Sequence, residues 1–368
     1  MTPSSPSGAG GSATPPASSG PVSGQTTVAD RTGPVTGRGP AADGGNPLVR
    51  LLSSPAGRSL GLVLALALLV AVGAATAGER FVSGDNLLTI LRLASVVGVV
   101  SIGMTFVITG GGIDLSVGAM LALASVWATT LATQTMATDI HWVVMVFTAL
   151  AVGAGAGLIN GLLIAYGRLA PFIATLAMLA AARGLAEILA QRRTQIVNVP
   201  GFVDFFGGEV LGVPMLVLIF AAVSVAGWVV LNRTTYGRRT IAVGGNPEAA
   251  RLAGIDVKRH TASLYVLVGL LCGVAAVMLI ARTTVGSSTH GGLLELDAIA
   301  AVVIGGTLLS GGRGTIVGTV LGVLIFTTLT NVFTLNNVDI SAQAVARGAI
   351  IVAAVLLQQR VARRSGGS

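Results

Sequence analysis

Apolar residues in this chain run in blocks of about one membrane thickness instead of alternating with polar ones. They fall at 59–77, 86–108, 114–133, 142–165, 171–190, 214–231, 261–281, 295–310, 315–335 and 341–359. Crossing about 30 Å of hydrocarbon at about 1.5 Å per residue takes about 20 residues of helix. The pattern therefore predicts an all-α, polytopic transmembrane bundle of about ten spans. At 110–114 and 310–314 the blocks are separated by glycine clusters instead of charged loops. Backbone broken at membrane depth persists only where protein or a water-filled cavity covers it, so these breaks predict discontinuous or re-entrant segments. Residues 1–46, dominated by Ser, Pro, Thr, Gly and Ala with no aromatic residue, are too polar to offset chain entropy by burial and read as a disordered tail, not a cleaved leader. Residues 47–368 read as one transmembrane domain.

Composition sharpens the picture. Of 368 residues 53% are apolar and 10% charged, which excludes a water-soluble globule. The chain has 51 glycines, and only 4% of its residues are aromatic, a balance suited to close helix packing in lipid. Gly153, Gly157 and Gly161 recur every fourth residue, as do Gly314, Gly318 and Gly322, so each trio is expected along one packed helix face. The single cysteine, Cys272, excludes an internal disulfide framework.

The net charge of +8 comes from arginines and one lysine scattered between the apolar blocks. That placement follows membrane orientation and not a nucleic-acid footprint. With the N-terminus in the cytoplasm, Arg50, Arg58, Arg168, Arg233, Arg238, Arg239, Arg251, Lys258, Arg259, Arg313, Arg360, Arg363 and Arg364 lie inside, against Arg80, Arg192, Arg193 and Arg282 outside. Both termini are therefore expected in the cytoplasm of a multi-pass plasma-membrane protein, with the Arg192-Arg193 pair as the local exception. Lys258 stands in Gly254-Ile255-Asp256-Val257-Lys258-Arg259, which is not a phosphate-binding loop. The chain is therefore expected to lack an ATPase site of its own and not to act as an enzyme. His141, His260 and His290 lie near block ends, and with one cysteine they suggest neither a metal site nor a catalytic nucleophile.

The segment Thr109-Gly110-Gly111-Gly112-Ile113-Asp114-Leu115-Ser116-Val117-Gly118 has a partner in Gly305-Gly306-Thr307-Leu308-Leu309-Ser310-Gly311-Gly312-Arg313-Gly314. Paired breaks in two halves suit a transporter with an inverted repeat. Asp114 reads either as a pathway residue or as the cap of a helix starting at Leu115. Arg183 and Glu187 are spaced to pair on one helix, and Glu295 and Asp297 read as acids favoured in a first turn. The loop 232–260 carries a short helix with its own stop signals: Asn246 as cap, Pro247 at the first position, Glu248 in the first turn, and Gly254 after the end. Flanked by arginines, that helix suits either anionic lipid or a cytoplasmic partner.

Glu248-Ala249-Ala250 followed by Gly254 resembles the coupling loop of binding-protein-dependent ABC importer permeases. The blocks Gly111-Gly112-Ile113-Asp114-Leu115-Ser116-Val117-Gly118, Asn160-Gly161, Pro171-Phe172-Ile173-Ala174-Thr175-Leu176, Ala242-Val243-Gly244-Gly245-Asn246-Pro247 and Asp297 through Gly306 together resemble ribose, xylose, arabinose and galactose permeases, over about 86–357. The resemblance implies import of a pentose or hexose by a paired membrane subunit. A second copy of the chain, a cytoplasmic ATPase that holds ATP and magnesium, and an extracytoplasmic sugar-binding protein would complete the assembly. It implies coupling to the ATPase through Asn246, Pro247, Glu248, Ala249, Ala250, Arg251 and Gly254. Thr109, Asp114, Ser116, Asn160, Thr175 and Asn331 are the polar residues expected to line a pathway. A branched-chain amino-acid permease and an ion-coupled secondary transporter are the alternatives.

Overall fold

The computed structural model describes residues 55–365; the expected tail over 1–46 lies outside the described residues. Among the described residues the helices are α1 (Pro55–Ala77), α2 (Glu79–Val82), α3 (Gly84–Thr109), α4 (Val117–Ala128), α5 (Leu131–Asp139), α6 (Val143–Ala165), α7 (Pro171–Ala190), α8 (Pro200–Gly207), α9 (Met215–Arg233), α10 (Thr235–Gly245), α11 (Pro247–Leu252), α12 (Val257–Thr283), α13 (Leu294–Ile304), α14 (Ile316–Leu335) and α15 (Ile340–Ser365). Two small antiparallel pairs accompany them. β1 (Gln195–Ile196) pairs with β4 (Val285–Gly286), placing Gln195 opposite Gly286. β2 (Glu209–Val210) pairs with β3 (Val213–Pro214) across a turn in which Leu211 and Gly212 have φ of 53° and 77°, the geometry of a tight hairpin.

Among the described residues, seven helices (α1, α3, α6, α7, α9, α12 and α14) are long and apolar enough to cross a membrane, and α4 with α5, bent by 56°, forms either a broken eighth span or a re-entrant loop. The molecule is a polytopic helical bundle, and two of the expected blocks differ from simple spans. The 114–133 block starts its helix only at Val117 and bends at Thr129 and Thr130, where the Thr130 hydroxyl caps α5 by accepting from Thr133 N. The 295–310 block is a half-length helix, because α13 stops at Gly305 and Gly306, the latter with φ 87°.

Packing ranks the helices. The apolar window of α12 is 72% buried and that of α1 only 11%, so α12 is central and α1 peripheral. α12 packs on α6, α3 and α4, while α3 also touches α9, α13 and α14. The α6–α12 contact is made through backbone. A Cβ built on Gly153 would lie 2.3 Å from the Gly269 carbonyl oxygen, on Gly157 2.2 Å from that of Tyr265, and on Gly161 2.7 Å from that of Ala262. In the second trio, Gly318 and Gly322 press on Gly305 and Ala301, but Gly314 precedes α14 and faces Thr109 instead. The helix begins only after Thr315, whose hydroxyl accepts from Gly318 N.

The two half-length helices oppose each other. After α3 ends, residues 110–116 lead to the start of α4; after β4, residues 287–293 run beside α4, with Ser125 Oγ 2.9 Å from His290 Nδ1, and lead to the start of α13. The two starts meet at Gly118 and Gly291, where a Cβ on Gly118 would fall 2.2 Å from the Gly291 carbonyl oxygen.

Candidate functional site

The exposed segment α10–α11 is built from its caps inward. Asn246 accepts from Ala249 N at 3.0 Å, Pro247 opens α11, and Gly254, at φ 81°, closes it while Ile255 N donates to Ala250 O. On the helix, Glu248 and Arg251 form an exposed pair at 2.7 Å, of the kind worth about 0–1 kcal/mol. Ala250 is buried, whereas Leu252 is 85% exposed. Leu252 is the large apolar side chain that this short capped helix holds out from the bundle.

Behind α11 the segment is fastened to the bundle. Tyr236 O–H is 2.9 Å from Ser263 Oγ, and Thr240 Oγ1 is 2.9 Å from His260 Nε2, so α10 is tied at two points to α12. Burial pushes the Tyr236 phenol above its usual range, outweighing the opposing effect of Ser263, which keeps the hydroxyl protonated.

The two glycine breaks converge on this segment. Gly312 N donates to Thr109 O at 2.8 Å. A Cβ on Gly244 would lie 1.8 Å from Thr109 O and 2.7 Å from Gly312 N; one on Gly311 would lie 2.7 Å from Gly244 O and 2.9 Å from Gly111 Cα. Three glycine-bearing segments thus meet backbone to backbone directly before Asn246. Both breaks share one stop: Gly112 N donates to Val107 O and Thr307 N to Val302 O, with Gly111 and Gly306 at φ 84° and 87°, a six-to-one closure of the Schellman kind.

Of the expected pathway residues, three come together. Asp114 Oδ1 accepts from Ser116 N at 2.8 Å and from Ser116 Oγ at 2.5 Å, and Asn160 Nδ2 donates to Ser116 Oγ at 2.9 Å. Asp114 does not cap a helix starting at Leu115, since α4 begins at Val117 and the carboxylate closes a turn ahead of it. Asp114 Oδ2, Asn160 Oδ1 and the Tyr265 hydroxyl, all buried, are left without hydrogen-bond partners. The other three are engaged elsewhere. Thr109 and Thr175 donate to Thr105 O and Pro171 O in their own helices, and Asn331 exchanges hydrogen bonds of 3.1 and 2.8 Å with Asn86.

The expected Arg183–Glu187 pair does not form. Arg183 Nη1 instead donates to the carbonyls of Ser288 and His290, while Glu187 faces Arg192 at 3.5 Å. A half-buried guanidinium has more to gain from two loop carbonyls than from one carboxylate open to solvent. Glu295 and Asp297 do stand in the first turn of α13, and Asp297 also faces Arg347 of α15 at 3.8 Å. Sequence reading missed Asn86, Arg347, Gly244 and Tyr265; the doubled glycine at 244–245 was a legible signal, the others carried none. Among the described residues no group of three or more His, Cys, Asp or Glu is placed to hold a metal ion.

Residues 86–355 match the family model described as branched-chain amino acid transport system, permease component. The chain is 43% identical over 305 residues to the ribose import permease protein of Bacillus subtilis, covering 82% of this chain and 93% of that one. It is 39% identical over 302 residues to the ribose import permease protein of Escherichia coli K12, covering 81% and 92%. It is also 36% identical over 304 residues to the L-arabinose ABC transporter permease protein of Azospirillum brasilense, covering 81% and 87%. No solved structure matches.

Proposed function

This chain belongs to the family of branched-chain amino acid transport system permease components, and on that premise we propose that it is the membrane subunit of an ABC importer for a monosaccharide, a pentose or hexose. The family description alone leaves amino acids open. The relatives narrow it, since their names carry ribose, L-arabinose and D-allose.

In this reading ATP is hydrolysed on a separate cytoplasmic subunit that grips α11, a binding protein delivers sugar on the other face, and two copies of the chain form the pore. The excess of arginines around 233–259 supports a cytoplasmic position for α11 and both termini. One observation carries the coupling role: α11 presents Leu252 to solvent while Gly244, just before its cap, touches both glycine breaks. A push on α11 therefore reaches both halves of the bundle through backbone contacts, which cannot absorb it by rotamer change. ATP and loaded binding protein then favour the same arrangement of the bundle, and their effects are linked.

The test is reconstitution in proteoliposomes with an ABC-type ATPase subunit and a sugar-binding protein from the same organism. Labelled pentose should enter only with ATP, and loaded binding protein should stimulate hydrolysis. Leu252→Glu should abolish stimulation with the permease still folded. Uptake driven by an ion gradient alone, or full stimulation in Leu252→Glu, overturns the reading.

A further inference from the structure

In the half of the bundle away from α11, a cavity of about 240 Å³ opens between α3, α12, α13, α14 and α15. Its wall carries Asp297, Arg347, Arg282, Thr327, Thr330 and Phe326. Asp297 and Arg347 face each other at 3.8 Å and keep 21% and 28% of their side-chain surface exposed. Arg347 Nη2 reaches Thr330 Oγ1 at 3.4 Å, its guanidinium lies 5.8 Å from the Phe326 ring centre, and its buried Nε has no partner. Arg282 stands in the last turn of α12, Asp297 in the first turn of α13 and Arg347 in the second turn of α15, so the charges gather near the helix ends on the face away from α11.

An ionisable side chain at membrane depth is costly unless it faces protein or water. Two guanidiniums and a carboxylate around one opening near the helix ends favour water in that opening. The volume is far above the ~10–15 Å³ that a single water needs, and is close to the lower end of the ~300–1,000 Å³ typical of small-molecule sites. The wall offers donors that cannot accept, an acceptor that cannot donate, and two hydroxyls that do both. Vicinal hydroxyls of a ring sugar need that mixture, and an aromatic face suits the C–H side of the ring. Because Asp297 and Arg347 already compensate each other's charge, a neutral polyol disturbs them least, whereas a zwitterion would have to separate them.

We propose that this cavity is a sugar subsite of the translocation pathway, with Asp297, Arg347, Thr327 and Thr330 as the hydrogen-bonding groups and Phe326 as the platform. It rests on the importer reading above, and it places the pathway on residues other than the buried Asp114–Ser116–Asn160 cluster.

Cysteine protection tests it on the full chain in lipid nanodiscs, without ATPase or binding protein, so that a failure of coupling does not affect the readout. In a Cys272→Ala background, Thr327→Cys and Thr330→Cys are compared with the exposed apolar position Phe147→Cys. A charged, membrane-impermeant thiosulfonate should modify both cavity cysteines at least an order of magnitude faster than Phe147→Cys. Ribose or arabinose at high millimolar concentration should slow that reaction several-fold, and leucine should not. Cavity cysteines as inert as Phe147→Cys overturn the hydrated cavity. Reactivity that no sugar slows, or that leucine slows instead, overturns the sugar subsite. Two cysteine positions keep the test decisive if one variant fails to fold, as monitored by size-exclusion chromatography.

Discussion

Placing a methyl group at Gly157 tests whether the α6–α12 contact is as close as described. The new Cβ would sit 2.2 Å from Tyr265 O and 3.1 Å from Gly269 Cα, where ordinary contact starts at 3.4 Å. Both atoms are backbone, so no rotamer can yield, and α6 must retreat by roughly 1 Å along a seam that also includes Gly153 against Gly269 and Gly161 against Ala262. Overpacking of this kind costs about 1–3 kcal/mol, and replacing glycine by alanine in a helix returns up to about 1 kcal/mol. The net expectation for Gly157→Ala is a loss of about 1–2 kcal/mol, or a fall of about 2–8 °C in melting midpoint at about 2–4 °C per kcal/mol. Gly155, two residues away on the same helix, has nothing within 4 Å of its hypothetical Cβ, so Gly155→Ala should melt at or above the wild type. Fluorescence-detected size-exclusion after heating measures both in one detergent. If Gly157→Ala melts no lower than Gly155→Ala, the close approach is wrong.

Other expectations follow from single contacts. Asn246→Ala removes the cap on Ala249 N and should cost about 1 kcal/mol of local helix stability, read as roughly fivefold faster hydrogen exchange over 247–253 with the rest unchanged. Gly254→Ala meets no steric neighbour but holds φ 81°, so it should cost about 1–2 kcal/mol, seen as fraying of α11 in the same exchange experiment. Asn86→Leu should destabilise by about 1–3 kcal/mol because Asn331 is left unpaired in the core. Asn331→Leu added to it should recover part of that loss, and purely additive melting shifts in this cycle would refute the pairing. Arg183→Leu frees the carbonyls of Ser288 and His290 and should raise proteolytic nicking or exchange at 287–293; unchanged protection there would show that the anchor is not needed.

How much of this was legible depends on range. Long helices follow from blocks of apolar residues, and the caps of α11 follow from Asn246, Pro247 and Gly254, because each of these acts within one or two turns. The half-length of α13 was hidden, since Thr307, Leu308 and Leu309 continue the apolar text past the point where Gly306 turns left-handed. Residue types at long-range contacts were visible but their partners were not. Asn331 was singled out as polar in an apolar block, yet nothing local says that its mate is Asn86, 245 positions earlier. Arg183 was misassigned for the same reason: i,i+4 spacing makes Glu187 the obvious neighbour, while the loop carbonyls that hold it come from another part of the chain. The glycine-rich text at 110–114 and 310–314 announced breaks in the helices, though not that the two breaks meet each other and Gly244.

The abutment of Gly118 on Gly291 has a mechanical implication. The start of α4 and the turn leading into α13 touch backbone to backbone at Gly118 and Gly291, with the Glu295 carboxylate alongside, and so form a fulcrum and not a bearing surface. Such a joint resists compression but tolerates tilt, which suits the importer proposed above. Enlarging either tip by one methyl would wedge the fulcrum open and bias the tilt without altering any group that touches cargo.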